Sequence, residues 1–329
     1  GDKLRTDTTV VETNIHWPTD SSLLWDTYRK CAALIRLARE VNPTIDDGRR
    51  LQDRRGKRLA QKIARKLGKK TAKKEGLGLD GVKTLYSSLI SMVSDLLTVV
   101  AEVRDKLLGR ERPGSGPRRV LVGTPTALAY TLDHYHGLGE RVVAQATRRV
   151  LAGEQVPNEE KIFSIFESHT ELIKRGKAGK PIEFGHVVLL EQVEGCFVTN
   201  YKVYKHKPDE SKLLDPIVAR HERLFGAPPE VATADKGFYG GIDGIRDLEK
   251  KVDLVSVCKK GRRTDEERAR ERSRAFRMAQ RFRAGIEGSI SVLKRCFSLF
   301  RCFRKGWLHY AALVGNAIFA HNLCVLARC

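Results

Sequence analysis

The stretch "LRTDTTVVETNIHW", Leu4 to Trp17, decides the fold. Its β-branched residues alternate with polar ones, a period of two that predicts a strand with Asp7 near its beginning. Pro18 and the small polar residues of "PTDSSLLWD" turn the chain into a helix that Asp20 caps. From about Ser22 to Ala152 strand signal nearly vanishes. Apolar residues recur there at three and four positions, in "LLWDTYRKCAALIRLAREV", "VKTLYSSLISMVSDLLTVVAEVRDKLL" and "TALAYTLDHYHGLGERVVAQATRRVL". Three or four helices follow from that spacing. Beyond Pro157 alternation returns in "KIFSIFE" and in "IEFGHVVLLEQVEGCFVTNYKVYK", where "EGC" suits a hairpin turn. Helix and strand signals then alternate: "DESKLLDPIVARHERLFG", "EVATAD", "GIDGIRDLEKK", "VDLVSVC", one helical stretch from Thr264 to Leu299, and a final apolar helix "LHYAALVGNAIFAHNLCVLA". Hairpin strands followed by alternating strands and helices predict an α/β layer on a mixed sheet. If the strand at Asp7 joins that sheet, the helical block is an insertion after the first strand. The expected parts are residues 1–18, 19–156 and 157–329.

The chain has 329 residues, enough for two compact units or one domain with a large insertion. Its 61 Lys and Arg against 40 Asp and Glu give a formal charge of +21, which calls for a polyanionic partner, nucleic acid before anionic membrane. Arg49 to Lys74, "RRLQDRRGKRLAQKIARKLGKKTAKK", is a basic helix suited to tracking phosphates, with a solvated face as the plainer reading. "GRERPGSGPRR", Gly109 to Arg119, is loop by composition. Polar residues interrupt the apolar runs, so no membrane span is expected, and no signal peptide is visible. Seven cysteines without a CxxC pair fit reduced thiols in a cytoplasm. Cys296, Cys302, His321, Cys324 and Cys329 match no zinc spacing, so buried or free thiols are the expectation. His16, His186 and His321 read as packing or hydrogen-bonding residues, Trp17, Trp25 and Trp307 as core or interface anchors, and Asn322 as structural.

Chemistry concentrates at two places. "EVATADKGFY" ends a buried strand in Asp235, where open α/β sheets bind ligands, and Asp235 stands too early to cap the helix near Gly240. "QRFRAGIEGSISVLK" sets Glu287 four residues after Arg283 and seven before Lys294, all on one helix face. A carboxylate for a divalent metal beside cations for phosphate oxygens suits a phosphodiester site; the alternative is a simple i, i+4 ion pair. Gly285 and Gly288 each cost a helix interior about 1 kcal/mol relative to Ala, which suggests a close approach to the backbone.

Arginine, three residues, glutamate, six residues and lysine resemble the "YREK" signature of DDE transposases from bacterial insertion sequences. "TADKGFY" is similar to their second-acid strand and "TDTTVVETNIHWPTDS" to their first-acid strand. "SIFESHTELIKRGKAGKPIEFG", "KKGRRTDEERARERSRAFRMAQRFRAGIEGSISVLKR" and "AHNL" are similar to the group filed as ISNCY, and the likeness covers essentially the whole chain. The resemblance implies an RNase H-like mixed-sheet core with an all-α insertion. In it Asp7, Asp235 and Glu287 are catalytic and hold two Mg²⁺ (or Mn²⁺) ions for cutting and joining double-stranded DNA at element ends and target. Arg283 and Lys294 would contact the DNA backbone, as would Lys236, Lys259, Lys260, Arg262 and Arg263 near the strand ends. A homodimer in the synaptic complex and a cytoplasmic, nucleoid-associated setting come with the family. Gln280 stands where the signature has tyrosine, and the sequence starts a few residues before Asp7 where relatives carry a helical region, as in a fragment or a shortened copy. Glu167, with Glu171 after it, is the alternative first acid. A DNA-binding remnant that no longer cuts, and an RNase H-like nuclease acting on RNA or branched DNA, are the competing functions.

Overall fold

The computed structural model describes residues 1–68, 79–109, 124–177 and 179–328. Residues 69–74 of the basic run, and nearly all of the loop expected at 109–119, lie outside them. β1 (Lys3–Thr13) opens the chain, followed by α1 (Asp20–Val41), α2 (Asp53–Gly68), α3 (Leu79–Leu108) and α4 (Pro125–Ala146). Next come β2 (Glu171–Lys177), β3 (Lys180–Val193), β4 (Val198–Val203), α5 (Leu214–Phe225), β5 (Val231–Ala234), α6 (Ile242–Leu248) and β6 (Leu254–Ser256). α7 (Asp265–Arg272), α8 (Arg274–Cys296), β7 (Arg301–Cys302) and α9 (Trp307–Leu326) complete the chain. It divides into two compact units, Gly1–Asn14 with His169–Cys329, and Ile15–Ser168.

The first unit is α/β, built on a seven-stranded mixed sheet of order β2-β3-β1-β5-β6, with β4 also paired to β3 and β7 to β1. β3 runs antiparallel to β1, Asp7 opposite Leu190, whereas β5 runs parallel to β1 and β6 parallel to β5. Asp7 therefore sits mid-strand rather than near the beginning. Strand periodicity sends alternate side chains to opposite faces. Leu4, Leu189, Ala232 and Val255 pack with Ile217 and Val218 of α5 and Ile245 and Leu248 of α6. Val11, Val188 and Leu190 pack on the other face with Ile286 and Leu293 of α8 and Tyr310, Val314 and Ile318 of α9. Fully burying a Leu, Ile or Val contributes roughly 1.5–3 kcal/mol, so both helical layers are held by apolar contact. Asn322 ties α9 to β4, its Oδ1 accepting from the Val198 amide (3.1 Å) and its Nδ2 donating to the Val198 carbonyl (2.8 Å).

The second unit is helical, with Leu24, Ile35, Leu89, Val93, Val100 and Leu132 in its core. Thr19, not Asp20, caps α1, in a capping box with Ser22; Asp20 is the first helical residue and binds Arg149 and Gln145. The strand expected over 161–167 does not form. The Gln145 amide takes the place of a partner strand there: its Oε1 accepts from the Ile162 N–H (2.8 Å) while Ile162 and Ile165 sink into the helical core. The single helix expected from Thr264 to Leu299 is two. Ser273 is extended (φ −58°, ψ 149°) and its hydroxyl accepts from the Phe276 amide (3.2 Å), starting α8 afresh after α7. By length and composition α3 and α9 are both apolar enough to cross a membrane, against the expectation of no such run. α3 nevertheless lends Leu89, Val93 and Val100 to the helical core, and α9 lends Val314 and Ile318 to the sheet.

Candidate active site

In the first unit β5 and β6 end beside the middle of β1, all three strands running parallel. Thr6 pairs with Ala234 and Thr233 with Ser256, so continuing that register just past the ends of β5 and β6 puts Asp235 and Cys258 in one row with Asp7 of β1. Neighbouring strands lie about 4.8 Å apart, which sets the spacing of that row. All three residues fall on the face that α8 covers: Arg5, Thr233 and Ser256, each two positions earlier, hydrogen-bond to α8. The two acids make the same local bond, each accepting from the following amide at 2.7 Å, Thr8 for Asp7 and Lys236 for Asp235. Asp7 is mostly covered (17% exposed) and Asp235 is open to solvent. Burial, with the nearby Glu271 carboxylate, raises the Cys258 thiol, and the charges of Asp235 and Arg283 also act on it. Cys258 ends the strand "VDLVSVC" in the sequence, yet its place beside Asp235 emerges only from the register.

α8 is pinned over this row by two polar anchors. Gln280, at the tyrosine position of the resembled signature, donates through Nε2 to the Ser256 carbonyl (2.8 Å) and to the Ser256 hydroxyl (3.0 Å). Arg5, buried at 5% exposure, donates through Nη1 to the Phe282 carbonyl (2.8 Å), through Nε to Gln192 (2.8 Å), and stacks on the Phe282 ring. That accounts for one of the glycines flanking Glu287. A Cβ at Gly285 would collide with the Arg5 guanidinium, so the close approach inferred from sequence is made by the protein's own first strand. Gly288 has open space around it, and nothing in the structure explains it.

Arg283 bridges the acids. Its Nη2 lies 2.9 Å from Glu287 Oε1 and its Nη1 3.9 Å from Asp7 Oδ2. The i, i+4 pair weighed from sequence is therefore present, and Arg283, at 17% exposure, is an inward charge rather than an open contact for a ligand. Glu287 is 61% exposed, and Lys294 lies two turns further along α8, partly covered. Among the described residues no group of three or more His, Cys, Asp or Glu stands close enough to hold a metal ion. The carboxylates of Asp7, Asp235 and Glu287 are thus not gathered into one ligand cluster; two are adjacent by register, and the third reaches Asp7 through Arg283.

The basic residues around the strand ends divide into two groups. Lys236, Lys260 and Arg262 are exposed. Lys259 is engaged, its Nζ 2.9 Å from both carboxylate oxygens of Glu267, and Arg263 lies 2.7 Å from Glu271. Glu267 also accepts from the Thr264 amide (2.8 Å) and the Tyr239 hydroxyl (2.9 Å), and the Lys259 bond with these partners holds it down at about 2. Glu210, not singled out from sequence, accepts from the Thr8 hydroxyl (2.7 Å) and occupies the space a Cβ at Gly237 would need.

Other candidates from the sequence lie on other elements. Glu167 belongs to the helical unit, where it is buried at 5% exposure and its amide donates to the Ser164 hydroxyl. Glu171 binds His206 and the Lys207 amide at the start of β2. In the helical unit α2 packs through Gly56 and Ile63 and exposes Arg54, Arg55, Arg58, Lys62, Arg65 and Lys66. Cys302 is buried, Cys296 and Cys324 are exposed, and Cys329 lies outside the described residues. His186 and His169 share a hydrogen bond (2.8 Å) beside Trp307 and Tyr310; Trp17 is exposed. Comparison of the chain with family models, curated proteins and solved structures returns no match.

Proposed function

We propose that this chain is a DNA transposase core that cleaves and joins phosphodiester bonds at the row of Asp7 and Asp235, with Glu287 as third acid. The observation that carries the reading is the register that sets Asp235, at the end of β5, beside Asp7 in the middle of the parallel β1, on the face where α8 presents Glu287. The sheet order β3-β1-β5-β6, antiparallel then parallel, supports an RNase H-like core interrupted after its first strand. The donors fit in kind, since carboxylate oxygens suit hard divalent ions. In this reading Asp7, Asp235 and Glu287 hold two Mg²⁺ or Mn²⁺ ions, whose chemistry when bound is activation of the attacking hydroxyl and stabilisation of the leaving oxygen. Arg283 holds Glu287 and Asp7 in register with each other and offsets their repulsion, and the exposed Lys236 and Lys260 draw phosphate to the strand ends. Double-stranded DNA as partner, a homodimer on paired ends and a nucleoid-associated setting follow from the same reading.

The test is Mg²⁺-dependent nicking of a plasmid that carries the DNA flanking this reading frame. Asp235→Asn and Glu287→Gln should each lower the rate at least a hundredfold while leaving binding intact; nicking that survives both substitutions excludes this site. A second reading, a DNA-binding protein that does not cut, draws on the Arg283 pair that engages Glu287 and on the lack of a three-acid cluster among the described residues. It requires the unsubstituted protein to bind this DNA and leave it whole with either metal.

A further inference from the structure

Just past Cys258 the chain forms a groove lined by Gly261, Arg262, Arg263, Arg268, Glu271 and Arg272. We propose that this groove is a phosphate tract that grips a nucleic-acid backbone beside the carboxylate row; the proposal rests on the polynucleotide reading above. Four guanidinium groups face one carboxylate, an excess of three positive charges within a single depression. Gathering like charges is unfavourable unless a polyanion neutralises them. The one lining acid, Glu271, is taken by Arg263 (2.7 Å), and the further pair of Arg268 with Asp265 (3.1 Å) ends on a wholly exposed carboxylate, a weak and screened interaction.

The spacing suits a strand of phosphates. Arg268 and Arg272 lie four residues apart on α7 and share a face, about 6 Å apart along the helix axis. That is close to two nucleotide steps of roughly 3.4 Å each. Gly261, at φ +82° in the left-handed region, turns the loop so that Arg262 and Arg263 join the same depression. Guanidinium forks bind phosphate oxygens in pairs, which a lysine cannot do.

The groove is also fixed relative to the acids. Gly261 follows Cys258 by three residues, at most about 10 Å of chain. Glu267 clamps the start of α7 to Lys259 and to Tyr239, and Tyr239 follows Asp235 by only four residues. Arg270, on the opposite side of α7, binds Glu249 and the Val255 carbonyl at β6. The groove is therefore tied to the segments that carry Cys258 and Asp235.

The experiment measures binding of the full chain to a 30-base-pair duplex against salt concentration. Removing one arginine–phosphate pair lowers the slope of log K against log salt by about 0.9. Arg268→Ala with Arg272→Ala should lower it by about 2, whereas Lys250→Ala with Lys251→Ala, the same change of charge at the end of α6, should leave it unchanged. Both arginines being exposed, the melting temperature should not move, which separates impaired binding from impaired folding. An unchanged slope in a protein that binds and nicks DNA overturns the groove alone. Binding without nicking, with the slope lowered, supports the groove and overturns the enzyme. A protein that binds no duplex, or variants that lose only adhesion to phosphatidylserine vesicles, overturn the groove as a nucleic-acid site.

Discussion

Gly285 and Arg5 form a lock between the first strand and α8, two residues from Asp7 and two from Glu287. Overpacking a filled site costs about 1–3 kcal/mol, and Gly285→Ala should lower the urea midpoint accordingly. Arg5→Ala should also destabilise, because the Phe282 carbonyl and Gln192 lose their donor. The double variant should be less destabilised than the sum, since the new methyl enters space the guanidinium has left. An additive result would disprove the lock. A second residue-scale outcome concerns His186, which burial and the neighbouring His169 push down to about 4. Its ring is fully enclosed, bonded to His169 and to the Lys205 carbonyl. Above pH 6.5 it is neutral folded or unfolded and its contribution is complete. As pH falls toward 4 only the unfolded chain takes the proton, and roughly 3 kcal/mol is lost. Urea midpoints across that window should fall in the unsubstituted protein and fall less in His186→Gln.

At the scale of elements, α8 is positioned by its ends as much as by its apolar face. Ser273→Ala removes the hydroxyl that accepts from Phe276 and should cost about 1 kcal/mol, read as a lower melting temperature. The same helix shows what the sequence discloses. The three-and-four spacing puts Arg283 and Glu287 on one face, and the apolar run "EVATAD" puts Asp235 at the end of a buried strand, because both depend on local periodicity. The break at Ser273 leaves no local signal, since charged residues on either side continue a helical pattern across it. "KIFSIFE" alternates like a strand, but whether a backbone finds a strand or the Gln145 amide is settled by tertiary structure. β2 and β7 are too short or too charged to stand out, and form against β3 and β1. The alignment of Cys258 with Asp235, and the pairing of Glu267 with Lys259, depend on register and loop closure, which no local pattern carries.

For the whole molecule, the two units have separate apolar cores, one between sheet and helices and one among helices. Residues 15–168 expressed alone should therefore keep their helical circular dichroism and unfold in one cooperative transition; a disordered fragment would contradict separate cores. The excess of +21 is spread over both, on α2 in one and around the strand ends in the other. A central strand whose neighbour lies far along the sequence has a further result. β1 pairs with β3 and β5, the latter more than 220 residues downstream. During synthesis β1 must wait, while the helical unit is made after it, until β3 and β5 leave the ribosome. Over that interval its unpaired amide edge is open to other nascent chains, so slowed translation or depleted trigger-type chaperones should aggregate this protein sooner than one whose neighbouring strands emerge together.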